Sequence, residues 1–166
     1  MKNYKKIIEE LFQKYPSIVE PIEDILSIEH ILPIPTENDW QYCSERVGTQ
    51  FSEDFKSFIE LTCSYNYSGT YGVVSYPSSN FIAYPYPIWK AYETDIKDDW
   101  WDENYIPFVA VGNGDEYCIR KTTEKKETCS VYYFDHEDNS YKFLAHSIEE
   151  WLMEDLEECF KYSQLL

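Results

Sequence analysis

Hydrophobic residues in the first half of the chain and at its C-terminal end recur every three or four positions, which is the spacing of an amphipathic helix. Residues able to cap or stop a helix punctuate these stretches, among them Thr36, Ser52 and Ser147 as N-caps and Pro16 as a stop. The predicted helices cover Tyr4 to Tyr15, a short segment within residues 17–31, Thr36 to Arg46, a stretch that begins at Ser52, Ile88 to Lys97, and a stretch that begins at Ser147.

The second half of the chain contains β-prone, aromatic-rich runs separated by polar turns, a pattern that predicts antiparallel hairpins. The glycines of Gly112 to Asp115 suit a tight turn, and Asp135 to Ser140 forms a second polar turn. The paired runs are Tyr71 to Tyr76 with Phe81 to Tyr84, Tyr105 to Val111 with Glu116 to Lys121, and Cys129 to Phe134 with Tyr141 to Ala145. We therefore expect an α+β fold, with an antiparallel sheet of about six strands, N-terminal helices packed on it and a capped C-terminal helix.

Composition indicates one globular domain over residues 1–166, because 43% of the residues are hydrophobic and 18% are aromatic. The sequence has neither an apolar run of membrane-spanning length nor a signal-peptide pattern at its start. Its five cysteines are scattered, without the Cys-x-x-Cys spacing of a zinc or redox site. These features predict a cytoplasmic protein whose thiols are reduced.

Net charge limits the classes of partner. The 31 acidic residues exceed the 14 basic ones and give a formal charge of −17, which repels phosphate backbones and anionic membranes. The same charge would speed encounter with a basic protein, although solubility alone also explains it. Much of it lies on the C-terminal helix, where Glu149, Glu150, Glu154, Asp155, Glu157 and Glu158 are expected on the outer side.

Residue patterns typical of catalysis are absent from the sequence. The chain has no nucleophile elbow, phosphate-binding loop or zinc-binding His-Glu-x-x-His helix, and Gly112 to Asp115 lacks the lysine of a phosphate loop. Asp135, His136 and Glu137 are adjacent, so on a strand they would point to alternating faces rather than converge on a metal. We predict a protein without enzymatic activity, cofactor or metal. A small hydrolase built on two clustered carboxylates remains the alternative.

Two aromatic segments are candidate partner-binding sites. In the first, two tryptophans lie among four acids, which would combine contact area with electrostatic steering, although one tryptophan could instead seal the core. In the second segment, tyrosines lie in a loop that leads into a predicted strand. Their rings could bind a partner or could equally pack against the edge of the sheet. The candidate residues are Asp98, Asp99, Trp100, Trp101, Asp102 and Glu103 in the first segment, and Tyr65, Tyr67 and Tyr71 in the second.

The order of several of these motifs resembles that of the SUKH superfamily of bacterial immunity proteins. The matching features are a Pro107-Phe108 run into the Gly112 turn, a strand and turn from Val131 to Glu137, and the helix capped by Ser147. Upstream, Leu32-Pro33, Thr36 and Ser52 to Phe58 continue the resemblance, which covers about residues 32–153 and leaves residues 1–31 as a helical extension. The resemblance implies a protein that binds and neutralises a cognate toxin, often a basic nuclease.

The sequence departs from this family pattern at two places. Arg120 stands where an acidic residue is common, and Tyr65 to Gly69 replace a frequent Gly-Gly pair. Because of these two departures, the resemblance does not establish that this chain uses the binding site of its relatives. Some relatives act instead as regulatory or scaffold modules, so that role is the second interpretation. A flat acidic face with exposed aromatics would favour binding, and a concave pocket holding two perturbed acids would favour the hydrolase.

Overall fold

The computed structural model describes residues 2–21, 32–67, 73–79 and 87–165. Within these ranges helices come first, a meander of strands follows, and a long helix ends the chain. The elements are α1 (Tyr4–Lys14), β1 (Val19–Pro21), α2 (Glu37–Val47), α3 (Glu53–Thr62), β2 (Tyr65–Tyr67), β3 (Val73–Val74), α4 (Ile88–Asp95), β4 (Tyr105–Ala110), β5 (Glu116–Arg120), β6 (Val131–Asp135), β7 (Ser140–Ala145) and α5 (Ile148–Ser163).

The main sheet is antiparallel, and its strands follow chain order, β3-β4-β5-β6-β7. Gly112 and Gly114 of the β4–β5 turn both have positive φ, at 91° and 102°, as the sequence predicts for this turn. A separate two-stranded ribbon pairs β1 with β2. The α+β class and both C-terminal hairpins are confirmed. A single sheet of about six strands is not confirmed, because the described residues place five strands in the main sheet and two in the ribbon.

The two faces of the main sheet belong to different hydrophobic clusters. One face packs on the helices through residues such as Ile106, Phe108 and Ile119, all at most 2% exposed. Cys118 and Phe134 point to the other face and form a small cluster with Trp101. Neighbouring residues of a strand point to opposite sides of the sheet, and the adjacent residues Cys118 and Ile119 accordingly belong to different clusters. The sheet therefore has one face covered by helices and a second face with its own aromatic packing.

Helix ends confirm most of the predicted boundaries. Thr36 and Asp39 form a reciprocal capping box at the start of α2, and Gly48 ends that helix in the left-handed conformation at φ 74°. The Ser147 hydroxyl accepts a hydrogen bond from the Glu150 N–H, but Glu150 reaches back to the His146 N–H rather than to Ser147. The Ser147 cap is thus confirmed, and the reciprocal bond from Glu150 goes to the residue before the cap.

Ser52 occupies the N-cap position of α3, but its side chain makes no capping bond there. Its hydroxyl donates instead to Asp54 Oδ1 at 2.6 Å, which also accepts from the Phe55 N–H at 2.8 Å. The other oxygen of Asp54 accepts from the Ile148 N–H of α5 at 2.9 Å. One buried carboxylate therefore serves the N-terminal ends of α3 and α5 together.

The N-terminal half contains a short antiparallel ribbon that the sequence pattern did not predict. Val19–Pro21 forms one strand, at the start of the segment 17–31 where a short helix was predicted, and Tyr65–Tyr67 forms its partner strand. Residues 22–31 of that predicted helical segment lie outside the described residues. Each strand is only three residues long and pairs with a segment that is distant in sequence, so no local periodicity could reveal it. The predicted strands at 71–72 and 81–84 lie outside the described residues.

Candidate partner-binding site

The first aromatic candidate, residues 98–103, connects α4 to β4 and packs on the face of the main sheet opposite the helices. Trp101 is 7% exposed, and its Nε1 donates to the Tyr105 carbonyl at 3.1 Å. The Asp102 N–H donates to the Tyr141 hydroxyl at 3.0 Å. Because both bonds tie this segment to strands of the sheet, the segment has a fixed position.

Trp100 and Trp101 have different environments. Trp101 is buried against Phe134, so the expectation that one tryptophan seals a core applies to it. Trp100 is 42% exposed, although its ring stacks on Phe134 at 5.4 Å with an interplanar angle of 18°. A partly exposed indole held rigidly on a buried ring is the kind of anchor found at protein interfaces.

Further aromatic rings extend this surface across the sheet. Tyr105 stacks on Tyr141 with ring centroids 3.9 Å apart, and it meets Tyr132 edge-on at 5.0 Å. Phe143 continues the row at 5.6 Å from Tyr132 and is 48% exposed. We call the row the aromatic face: Trp100, Trp101, Tyr105, Tyr132, Phe134, Tyr141 and Phe143.

The site residues predicted from sequence included none of the five strand aromatics of this face, which are Tyr105, Tyr132, Phe134, Tyr141 and Phe143. A signal was present, since Tyr132 with Phe134 and Tyr141 with Phe143 repeat at the two-residue period of a strand. Such alternation indicates one apolar side of a strand, but it does not tell whether helices cover that side. Only the fold shows that these rings lie with residues 98–103 on the face of the sheet that none of the described helices covers.

Exposed acids border the aromatic face. The structure exposes the side chains of Asp98, Asp99, Asp102 and Glu103, as predicted. Asp102 Oδ1 accepts from both nitrogens of Asn104, at 2.8 and 2.9 Å, which fixes this carboxylate. Charges at the rim of an apolar patch steer a partner without the cost of full desolvation.

The second aromatic candidate lies in a different layer. The Tyr65 ring packs on Phe12 of α1 at 5.5 Å, and its hydroxyl donates to Glu9 at 3.1 Å. Tyr65 thus packs against the helical core, in agreement with the packing interpretation. Tyr67 belongs to β2 through its backbone pairing with Val19, and Tyr71 lies outside the described residues.

Asp95 and Glu116 form a carboxyl pair near the aromatic face. Glu116 pairs with Phe134 across β5 and β6, and Asp95 ends α4 immediately before the 98–103 segment. Asp95 Oδ2 and Glu116 Oε2 are buried and have no hydrogen-bond donor among the described residues. Burial raises the pKa of both carboxyls, and repulsion from Asp95 raises the pKa of Glu116 further.

The acids of this pair meet one of the two conditions for the hydrolase alternative, since the pKa values of both are perturbed. The second condition was a concave pocket around them. Cavities of 520, 510 and 440 Å³ lie against α2 and the 121–130 loop, and neither Asp95 nor Glu116 lines any of them. The exposed aromatic face fits the binding interpretation better.

Asp115 lies between the two hairpin turns of the sheet. Its Oδ1 accepts from the His136 N–H at 2.9 Å and contacts His136 Nδ1 at 2.7 Å, while Oδ2 accepts from Asn113 at 2.8 Å and from Tyr133 at 2.5 Å. These donors lower the pKa of Asp115 although burial opposes the shift. Gly114 is required for the close approach, because a Cβ there would lie 3.1 Å from the His136 ring.

This cluster also brings Asp115, Asp135 and His136 within the separation of metal ligands. However, both oxygens of Asp115 already accept hydrogen bonds, and Asp135 forms a 2.8 Å salt bridge with Lys142. His136 and Glu137 belong to the turn, as predicted, whereas Asp135 ends β6. The expectation that these neighbours could not converge is wrong for Asp135 and His136, whose side chains both approach Asp115. Asp115 locks the two hairpins together, and a cation would have to displace the existing donors.

We expect His136→Ala to lower the melting temperature more at about pH 6 than at about pH 9. Asp115 raises the pKa of His136, so the charged pair contributes its full stability below the unfolded pKa and loses it as pH rises through the folded value. Thermal unfolding across this range measures the effect, with Glu137→Ala in the same turn as the matched control. An equal loss at both pH values would contradict the ion-pair contribution.

The predicted acidic outer side of α5 is corrected at one position. Asp155 is only 6% exposed and accepts a hydrogen bond from the Tyr117 hydroxyl at 3.3 Å, so it faces the sheet. Of the remaining acids, Glu149 pairs with Lys2 at 2.5 Å and Glu157 with Lys161 at 2.9 Å. These exposed ion pairs offset part of the charge on the helix.

The cysteines have the environment of small packed side chains. Burial raises the pKa of Cys43, Cys63 and Cys159 to about 12, which keeps these thiols protonated at neutral pH. All five cysteines are unpaired. No helix of the described chain combines the length and apolar character needed to cross a bilayer.

An antiparallel meander with helices packed on one face and partly exposed aromatics on the other is the architecture expected from the resemblance to the SUKH superfamily. The chain belongs to the SMI1-KNR4 cell-wall family, whose family model (SUKH_5) matches residues 5–157. The match includes most of α1, all strands of the main sheet and most of α5. A search of curated proteins found no match.

Proposed function

We propose that this protein is a non-enzymatic immunity protein that binds and neutralises a cognate bacterial toxin, and that the toxin docks on the aromatic face. Membership of the SMI1-KNR4 family is consistent with an immunity role or a regulatory one. A basic nuclease domain is the favoured partner because the chain carries a charge of −17. We further propose that residues 1–166 act as one domain in the cytoplasm.

The observation that carries this proposal is the combination of Trp100 with its acidic neighbours. Trp100 is 42% exposed on a rigid aromatic support, and Asp98, Asp99 and Asp102 surround it with negative charge. Aromatic anchors commonly carry most of the binding energy of an interface, while rim charges speed association. A basic partner with an apolar pocket would complement both properties.

A regulatory scaffold role would use the same surface with a different partner. A toxin gene next to the gene for this protein would support the immunity role over the regulatory one, and its product is the partner to test. Co-expression should protect cells from that toxin, and titration calorimetry with its purified, catalytically inactivated domain should show binding. Absence of both protection and binding would refute the immunity role.

Trp100→Ala should weaken toxin binding at least about tenfold, because an exposed indole at an interface centre contributes more than about 1 kcal/mol. Calorimetry with the inactivated toxin domain measures the loss. Met153→Ala, which removes a side chain of similar exposure (46%) from α5, is the matched control and should bind as the parent does. If the two variants bind alike, toxin docks elsewhere.

Charge neutralisation should change the kinetics of binding. The double change Asp98→Asn with Asp99→Asn should lower the association rate about threefold or more at low salt and flatten its dependence on ionic strength. Dissociation should change little, because both carboxylates are at the rim. Stopped-flow tryptophan fluorescence would separate these rates, and a change confined to dissociation would argue against steering.

A further inference from the structure

A basic cavity lies within this acidic chain, between the 121–130 loop, the end of β5 and the start of α5. Its volume is 440 Å³, and it is lined by Arg120, Lys121, Lys126 and His146 together with the hydroxyl residues Thr128 and Ser130. None of the described residues that line it carries a carboxylate, although acids outnumber bases 31 to 14 in the sequence. The charge of this cavity is therefore opposite in sign to that of the whole protein.

The loop that forms the cavity is held by backbone hydrogen bonds. The Gln50 N–H donates to the Thr122 carbonyl at 2.7 Å, and the Lys121 N–H donates to the Asn104 carbonyl at 2.7 Å. At the other end of the loop the Asp54 N–H donates to the Glu127 carbonyl at 3.0 Å. Because both ends are fixed, the backbone of the loop is in position before any ligand arrives, which lowers the entropic cost of binding.

The cations of the cavity are only weakly neutralised by the protein. Lys121 Nζ contacts the Tyr92 hydroxyl at 3.1 Å, and Arg120 has no salt bridge within the described chain. The acidic partner of Lys126 is Glu124, which lies 3.6 Å from Lys126 Nζ with its side chain 77% exposed. A second acid is close, since the Glu150 carboxylate accepts from the His146 N–H at 2.6 Å, whereas acids more than about 10 Å away are screened at physiological ionic strength. The local positive charge is therefore available to an anion.

We propose that this cavity binds the phosphate group of a small phosphorylated molecule. A phosphate dianion is attracted to a cavity that cationic residues line and no carboxylate lines, and a guanidinium such as that of Arg120 binds phosphate through two parallel hydrogen bonds. The hydroxyls of Thr128 and Ser130 supply further donors. The volume of 440 Å³ is typical of a small-molecule site and too small for a folded partner. The cavity borders the aromatic face, because the ring of its lining residue His146 lies 4.7 Å from that of Phe143, but phosphate binding does not require a toxin.

Titration of the full chain with inorganic phosphate, glucose 6-phosphate and adenosine monophosphate, followed by NMR of the backbone amides, tests the proposal. We expect saturable shifts at Thr122, Thr128 and Ser130 below about 10 mM for at least one probe. Comparison of inorganic phosphate with the two esters shows whether the phosphate group alone suffices. Arg120→Gln should weaken binding about tenfold, and Lys126→Gln should weaken it as well.

Lys125→Ala is the matched control, because Lys125 lies in the same loop but does not line the cavity. It should retain the affinity of the parent. The proposal is overturned if no probe binds below about 10 mM, or if Arg120→Gln and Lys126→Gln bind as Lys125→Ala does. It is also overturned if only a single-stranded RNA oligonucleotide binds, since that would indicate a nucleic-acid surface instead.

Discussion

Asp54→Ala should destabilise the protein by about 3 kcal/mol, because it leaves buried donors without an acceptor. Asp54 is 0% exposed, and its carboxylate accepts from the Ser52 hydroxyl and from the N–H groups of Phe55 and Ile148. The two N–H groups belong to the first turns of α3 and α5, where the helix itself offers no acceptor. Urea denaturation followed by tryptophan fluorescence measures the loss.

The neighbouring residue provides the control for this prediction. Glu53 carries the same charge at the same helix end, but its side chain is 42% exposed and lies 3.8 Å from Lys125. Glu53→Ala should change the free energy of unfolding by no more than about 0.5 kcal/mol. Asp54→Asn keeps the size of the side chain but places an amide group against one of the donors. Its loss of unfolding free energy should therefore lie between the losses of Asp54→Ala and Glu53→Ala. Equal losses in Asp54→Ala and Glu53→Ala would show that helix-end charge, rather than buried hydrogen bonding, is responsible.

Asp54 also illustrates what sequence could and could not predict about the fold. The helical period around Phe55 and Phe58 predicted α3, and the hydroxyl of Ser52 identified its start. The acceptor at that start is Asp54 instead, and its second partner, Ile148, is 94 residues away in sequence. Local patterns predict elements because they depend on neighbours, whereas a bond between two helix ends depends on the completed packing.

The candidate site shows the same division. Sequence singled out Trp100 and its acids from composition alone, and the structure places them on an exposed face. It could not assign Trp101 to the buried cluster or Tyr65 to the packing against α1, since both residues look equally suited to either environment. Nor could it reveal the approach of Asp95 to Glu116, because the two carboxyls come from a helix end and a strand.

Glu116→Gln should stabilise the protein by about 2 kcal/mol at about pH 8 and by much less at about pH 4.5. Burial raises the folded pKa of Glu116 and of Asp95, so the unfolded chain releases protons more readily than the folded one. At acid pH both carboxyls are protonated in the folded and unfolded chains, so the pair does not change the free energy of unfolding. As pH rises from the ordinary pKa of a carboxyl towards the raised pKa values of the folded protein, the free energy of unfolding falls. The amide that replaces the Glu116 carboxyl cannot ionise and can still donate to Asp95, which removes this cost.

Urea denaturation of the parent and of Glu116→Gln at several pH values measures the difference directly. Glu158→Gln is the matched control, because Glu158 is an exposed acid of α5 and its replacement changes net charge by the same amount. If both variants gain equal stability at about pH 8, relief of the overall charge of −17 accounts for the gain. A gain confined to Glu116→Gln, growing with pH, assigns it to the buried pair. Since Asp95 directly precedes the 98–103 segment, the same series can be repeated with bound toxin, where a smaller pH dependence would link this pair to the docking surface.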